Sequence, residues 1–127
     1  MADKSVLIVE DEDNFARALE IILTRHGYAT HRVSDGDAAL SALNDNPPAL
    51  ILLDVLLPNR SGFEICQTIR QTPHLQDTRI VMMSARNGQA EQRKGMAMGA
   101  DAFLNKPFPT SDLLSLIDEL TGKDTHA

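Results

Sequence analysis

Cysteine is almost absent from the sequence, with Cys66 the only one among 127 residues. A single cysteine excludes a disulfide within the chain and is typical of a reducing compartment, so we expect a cytoplasmic protein. No apolar run is long enough to span a membrane, and Met1-Ala2-Asp3-Lys4 lacks the apolar region of a signal peptide. The length predicts a single domain over residues 1–127, with a core over about 5–121 and a polar tail over 122–127.

Positive charge is also scarce, because 12 Lys and Arg residues are outnumbered by 18 Asp and Glu residues, giving a net charge of −6. Contacts with a phosphate backbone need a basic face, so this balance argues against direct binding of nucleic acid. The sequence contains no GxxxxGK[ST] loop for nucleotide phosphates, and its four His residues lack the spacing of zinc ligands. These absences leave an acidic globular domain that works on neither nucleic acid nor membranes by itself.

Five short apolar runs alternate along the chain with segments of helical apolar spacing. Buried parallel strands read as unbroken apolar runs of this kind, and the run that ends at Asp54 is the clearest. The alternation predicts an α/β fold with helices on both faces of a parallel sheet, because each right-handed crossover places its helix on one face. We predict strands over 5–9, 28–33, 49–54, 80–83 and 102–104.

The last two helices are predicted with different strength. The segment 88–98 is rich in Gln, Arg and Lys and is interrupted by Gly95, which favours a weak helix. The final helix has a regular apolar side, and we expect Thr110 or Ser111 to cap its amino end.

Polar or charged groups follow four of the five predicted strands. These groups are Glu10-Asp11, Asp54, Ser84 and Lys106. The carboxyl ends of parallel strands lie at one edge of the sheet, where ligands bind in open α/β folds. Taken singly, Asp54 could cap a turn and Lys106 could be an ordinary surface lysine. Their convergence predicts a pocket with three carboxylates, one hydroxyl and one ammonium group.

Grouped carboxylates repel one another, and a divalent cation would relieve that repulsion. Hard oxygen ligands suit Mg²⁺, which also binds phosphate oxygens. Lys106 would supply a positive charge for a phosphoryl group, and the Ser84 hydroxyl could donate a hydrogen bond to it. The residues therefore indicate a metal-assisted phosphoryl-transfer site in which a carboxylate is the acceptor.

Four segments resemble the receiver domain of bacterial two-component response regulators. They are Val9-Glu10-Asp11, Leu52 to Pro58 followed by Gly62, Met83-Ser84-Ala85, and Gly99 to Phe108, and the resemblance extends roughly over residues 5–120. It implies a flavodoxin-like, three-layer, doubly wound sheet of five parallel strands in the order 2-1-3-4-5. It also implies a phosphoacceptor that catalyses only its own phosphorylation and dephosphorylation and is not otherwise an enzyme.

The resemblance implies a role for each site residue. Asp54 would accept a phosphoryl group from a histidine kinase or a histidine phosphotransfer protein. Mg²⁺ would be bound by Asp11, Asp54 and the backbone carbonyl of Leu56, with Glu10 acting largely through water.

The same resemblance implies how the signal leaves the site. Ser84 would contact the phosphoryl group, Lys106 would pair with it, and Phe103 would be an aromatic switch that turns inward as Ser84 shifts. The Lys106-Pro107 peptide bond is expected to be cis. The fourth helix, fifth strand and fifth helix would form an output face for a downstream protein or a second copy of the chain.

Two further positions could tune the lifetime of the phosphoryl group. Leu56 and Arg86 each lie two residues beyond a site residue, at places that border the path of attacking water in the family. We expect Leu56 to hinder water and Arg86 to reach an acid or the phosphoryl group.

Two other functions remain open from the sequence. A hydrolase of the haloacid-dehalogenase type would use Asp54 as its nucleophile, but that family has a second Asp where this chain has Leu56. A receiver-like interaction module would bind partners without being phosphorylated. Steady turnover of phosphate esters would indicate the hydrolase, whereas a stable one-to-one acyl phosphate would support the receiver.

Overall fold

One parallel sheet runs through the centre of the molecule in the order β2-β1-β3-β4-β5. The computed structural model describes residues 4–85 and 88–122. Within them the strands are β1 (Ser5–Val9), β2 (Ala29–Val33), β3 (Leu50–Asp54), β4 (Arg79–Ser84) and β5 (Ala102–Asn105). Each neighbouring pair is parallel, and Asp54 of β3 lies opposite Met83 of β4. The strand order confirms the predicted flavodoxin-like topology.

Helices cover both faces of this sheet. In the described residues they are α1 (Asp13–Arg25), α2 (Gly36–Asp45), α3 (Gly62–Gln71), α4 (Gln89–Ala97) and α5 (Thr110–Thr121), with a short 3-10 turn at Pro73–Leu75. Side chains of a strand alternate between faces, so Ile51 and Leu53 pack with α2 and α3 while Leu50 and Leu52 pack with α1 and α5. The result is the three-layer arrangement predicted from the alternating pattern. None of the helices in the described part of the chain could span a membrane.

Helix ends follow the local sequence with one exception. Ser61 caps α3 in a reciprocal capping box with Glu64, and Gly88 precedes α4 without a side-chain cap, in line with the weak helix predicted there. Neither Thr110 nor Ser111 caps α5, because Thr110 is already its first residue and the cap position is Pro109. That prediction was wrong. Pro109 has φ −66° and ψ 142°, and its ring fixes an extended entry to the helix that the hydroxyl pattern did not reveal.

A cluster around Asp118 joins α5 to the segment just before β2, at the amino edge of the sheet. The Tyr28 hydroxyl donates to Asp118 Oδ1 at 2.7 Å, and His26 Nε2 lies 2.9 Å from Asp118 Oδ2. Thr121 Oγ1 lies 3.1 Å from the same Tyr28 hydroxyl. Burial raises the pKa of Tyr28 to about 12, so this hydroxyl stays protonated and able to donate. We call these four residues the Asp118 cluster.

Candidate functional site

The carboxyl edge of the sheet brings three acidic side chains together. Glu10 and Asp11 follow β1, and Asp54 is the last residue of β3. One carboxylate oxygen from each lies within 4.8 Å of the other two. Glu10 and Asp54 are buried, with 1% and 6% of their surface exposed, whereas Asp11 is exposed. The acids therefore form a pocket with two buried walls and one side chain at the entrance.

Lys106, directly after β5, lies between the two buried carboxylates. Its Nζ is 2.6 Å from Glu10 Oε1 and 3.3 Å from Asp54 Oδ2. The same ammonium lies 4.6 Å from the ring centroid of Phe15, whose ring packs edge-on against Phe108 at 5.8 Å. The Lys106-Pro107 peptide bond is cis, which confirms that prediction. The sequence thus placed Lys106 at this edge, but it did not reveal the aromatic pair beneath it.

The electrostatics of Asp54 reflect this crowded position. Burial raises the pKa of its carboxyl from 3.8 to about 6, and the charge of Glu10 adds to the increase. Lys106 and the backbone of Leu56 act in the opposite direction. The pocket is therefore short of positive charge, and a further cation would lower the cost of keeping all three acids ionised.

Arg32 supports the loop that carries Glu10 and Asp11. Its Nε and Nη2 donate to the Glu10 carbonyl at 3.0 and 2.7 Å, and Nη2 also contacts Asp13 Oδ1 at 2.9 Å. Sequence reasoning missed this residue, because an arginine on a less apolar edge strand reads as a solvated side chain. Its only available signal was its place near the end of β2, which the strand order brings beside β1.

Ser84 ends β4 and is 2% exposed. Its hydroxyl donates to Glu91 Oε1 at 2.5 Å, so the side chain contacts the first turn of α4. Phe103 on β5 is half-buried and packs close to Gly95 of α4, where an added Cβ would lie 3.2 Å from the ring. Both predicted switch residues therefore adjoin α4, and Glu91 is a partner that the sequence did not indicate.

Of the two positions predicted to tune the phosphoryl lifetime, Leu56 lies within the described residues. Leu56 is 59% exposed and lies two residues beyond Asp54, so it is a solvent-facing apolar side chain at the border of the pocket. Arg86 lies outside the described residues. Cys66 is fully buried on α3.

The donor set fits Mg²⁺. Glu10, Asp11 and Asp54 offer hard carboxylate oxygens within reach of one another. Burial, with a further contribution from the charge of Glu10, raises the pKa of Asp54, and a divalent cation would lower the cost of keeping this carboxylate ionised. One acid lies at the entrance, so such a cation would stay open to solvent on that side.

Solved structures with the same fold include several receivers. A response-regulator candidate from Chloroflexus aurantiacus is 32% identical, with a TM-score of 0.91, and the match covers 94% of this chain and 98% of that one. The chemotaxis protein CheY4 of Vibrio cholerae is 28% identical, with a TM-score of 0.85 and coverage of 91% and 97%.

A third similar structure carries a metal. The receiver domain of a sensor histidine kinase from Pseudomonas aeruginosa, solved with a magnesium ion in its active-site cleft, is 25% identical, with a TM-score of 0.87 and coverage of 94% and 98%. The family model described as the response regulator receiver domain matches residues 6–118. With its fold, its acidic pocket and this match, the chain belongs to the response regulator receiver domain family.

Proposed function

We propose that this receiver domain is a phosphoacceptor and that Asp54 takes the phosphoryl group. The observation that carries the proposal is the position of Asp54, which is buried at the end of β3 with the Lys106 ammonium lying between its carboxylate and that of Glu10. A buried carboxylate can act as a nucleophile, and the adjacent lysine ammonium can pair with the oxygens of the phosphoryl group that the carboxylate accepts.

An Asp54 carboxylate oxygen attacks the phosphorus of a phosphohistidine on a histidine kinase or phosphotransfer protein. A phosphorus–oxygen bond forms while the phosphorus–nitrogen bond breaks, and the imidazole nitrogen leaves with the electron pair. The Lys106 ammonium, now shared between Glu10 and Asp54, would turn to the incoming phosphoryl oxygens.

Mg²⁺ is the proposed cofactor. Asp11, Asp54 and the Leu56 carbonyl would hold it directly, and Glu10 would act largely through water. When bound, it would neutralise charge on the phosphoryl oxygens and on the grouped acids. Burial of Glu10 and Asp54 keeps bulk water away from the nucleophile, while the exposed Asp11 leaves the entrance open to the donor.

The surface formed by α4, β5 and α5 would transmit the signal to other proteins. Ser84 would contact the phosphoryl group and Phe103 would respond, and both adjoin α4. A downstream protein or a second copy of the chain would bind this face. The protein would act on no substrate other than its own Asp54.

Intact mass after incubation with Mg²⁺ and acetyl phosphate tests the proposal. We expect one phosphoryl adduct on the wild-type chain, none on Asp54→Asn, and an unchanged adduct on the control Asp45→Asn, which alters an exposed acid of α2. Folded wild-type protein without an adduct would favour an unphosphorylated interaction module. An adduct that persists in Asp54→Asn would show that another residue accepts the phosphoryl group. Steady hydrolysis of phosphate esters would indicate a hydrolase.

A further inference from the structure

The Ser84 hydroxyl is engaged by a carboxylate on α4. Its Oγ donates to Glu91 Oε1 at 2.5 Å, across a separation of seven residues. Ser84 belongs to the sheet, at the buried end of β4, whereas Glu91 is the third residue of α4. The hydrogen bond therefore ties the first turn of the helix to the edge of the sheet that carries the site.

Among the residues that the structure describes, the hydrogen bond from Ser84 is the one side-chain hydrogen bond at the amino end of this helix. Its cap residue, Gly88, has no side chain to bond the free backbone amides, and the one buried residue of α4 is Gly95. In α3 the glutamate at the corresponding third position, Glu64, bonds back to the cap residue Ser61. In α4 the glutamate instead accepts a hydrogen bond from Ser84, so this hydroxyl helps to hold the first turn of the helix in place.

A serine hydroxyl carries one proton and donates it to one acceptor at a time. If Ser84 is to donate to a phosphoryl group on Asp54, it has to give up Glu91. We propose that Glu91 competes with the phosphoryl group for the Ser84 hydroxyl, so that phosphorylation releases the first turn of α4. This competition rests on the phosphoacceptor function proposed above. Glu91 is then a positioning residue that acts on the site through Ser84.

The competition is reciprocal, because two equilibria that share one donor are thermodynamically linked. An intact Ser84–Glu91 hydrogen bond weakens the binding of a phosphoryl group by the free energy needed to break it. Conversely, a bound phosphoryl group weakens the attachment of α4. Release of α4 would also relax the close contact between Gly95 and Phe103, which gives the aromatic side chain room to respond.

Beryllofluoride, a non-covalent mimic of the phosphoryl group, tests the competition when it is titrated calorimetrically in the presence of Mg²⁺. We expect Glu91→Ala to bind it about threefold to tenfold more tightly than the wild type, because Ser84 no longer has to be released. Glu91→Gln, which keeps a weaker acceptor of the same length, should lie in between and carries the test if Glu91→Ala does not fold. Gln92→Ala, an exposed neighbour on α4, should bind as the wild type does.

Removing a negative charge near an anion could also tighten binding, and a double variant separates this effect. In a Ser84→Ala background the gain from Glu91→Ala should disappear, because the shared hydroxyl is gone. A gain of the same size in that background would overturn the proposal, as would unchanged or weaker binding to Glu91→Ala. If the folded wild type itself fails to bind beryllofluoride, the phosphoacceptor function is what fails.

Discussion

At the scale of single residues, Asp54 is held in a state that costs stability. Its pKa of about 6 exceeds the ordinary 3.8, so between these values the folded protein binds a proton that the unfolded chain has released. Stability from this group is therefore complete below pH 3.8 and is lost as the pH rises through 6. At neutral pH the ionised carboxylate opposes folding, which is the condition in which it can act as a nucleophile.

Replacing Asp54 by Asn should therefore stabilise the protein at neutral pH in the absence of divalent cations. We expect the free energy of unfolding to rise by about 1 to 3 kcal/mol at pH 8 and the difference to vanish near pH 4. Urea unfolding at pH 4, 6 and 8 measures this, with Asp45→Asn as the control for removal of one exposed acid. A difference that does not change with pH would contradict the argument.

The ring of Phe15 lies under the Lys106 ammonium, 4.6 Å from ring centroid to Nζ, and removal of this ring should slow phosphorylation. A cation over an aromatic face is worth about 0.5 to 2 kcal/mol, so Phe15→Leu should reduce the rate with acetyl phosphate about twofold to tenfold. Phe15→Tyr, which keeps an aromatic ring, should be phosphorylated at the wild-type rate. Phe63→Leu is the matched control, because the buried Phe63 ring lies under a different ammonium, that of Lys94 at 4.5 Å from its centroid. An equal decrease in the phosphorylation rate of both Leu variants would show that the Phe15 ring under Lys106 has no special role.

Leu56 lies two residues beyond the acceptor and exposes an apolar side chain to solvent, and we expect a polar side chain at this position to admit water. We expect Leu56→Asn to lose the phosphoryl group a few-fold faster, because an amide can orient the attacking water. The decay of the adduct, followed by intact mass, is the measurement, and Leu56→Met should decay as the wild type does. An unchanged or slower decay in Leu56→Asn would refute the role of Leu56.

At the scale of elements, the approach of α3 to β3 depends on a glycine. A Cβ at Gly62 would lie 2.2 Å from the backbone oxygen of Asp54, and the Gly62 amide donates to the Val55 carbonyl at 2.9 Å. No side chain can be accommodated there unless the helix moves away from the end of the strand. The same close packing holds the backbone of Asp54 in place.

Gly62→Ala should therefore destabilise the protein by about 2 kcal/mol or more, as overpacking against rigid backbone does. Gly88→Ala is the matched control, since an added Cβ there meets nothing within 4 Å, and it should cost less than about 1 kcal/mol. Thermal and urea unfolding of both variants gives the comparison. Similar losses would mean that the clash at Gly62 is relieved by local movement.

The sequence predicts elements better than it predicts contacts between them. Unbroken apolar runs, with polar groups at the ends of four of the five predicted strands, were enough to place Asp54 and Lys106 at one edge, because parallel pairing leaves few alternatives. Glu91 could not be found in this way, since a glutamate in a weak polar helix reads as a solvated side chain. Its partner Ser84 reaches it only after β4 and α4 are packed. The cap of α5 was missed for a simpler reason, because the backbone at Pro109 decided it.

At the scale of the whole molecule, the acidic site adds to a net charge of −6, and a bound cation should stabilise the fold. At a Mg²⁺ concentration of ten times Kd, we expect about 1.4 kcal/mol of added stability, removed again by chelation. The melting temperature with and without Mg²⁺ measures it. Asp11→Asn should abolish most of the increase at little cost to the metal-free protein, because Asp11 is exposed. An equal increase in that variant would place the cation elsewhere.

The Asp118 cluster gives the two ends of the molecule unequal resistance to opening. It fastens the last turns of α5 to the segment just before β2 through a buried carboxylate. In the described part of the chain, the first turn of α4 at the opposite edge has a single side-chain hydrogen bond, from the Ser84 hydroxyl. Backbone amides near the cluster should therefore exchange with solvent only when the whole domain unfolds, and those of α4 through smaller and more frequent openings. We therefore expect motion to be concentrated at the end that would receive the phosphoryl group, with the rest of the domain serving as its fixed frame.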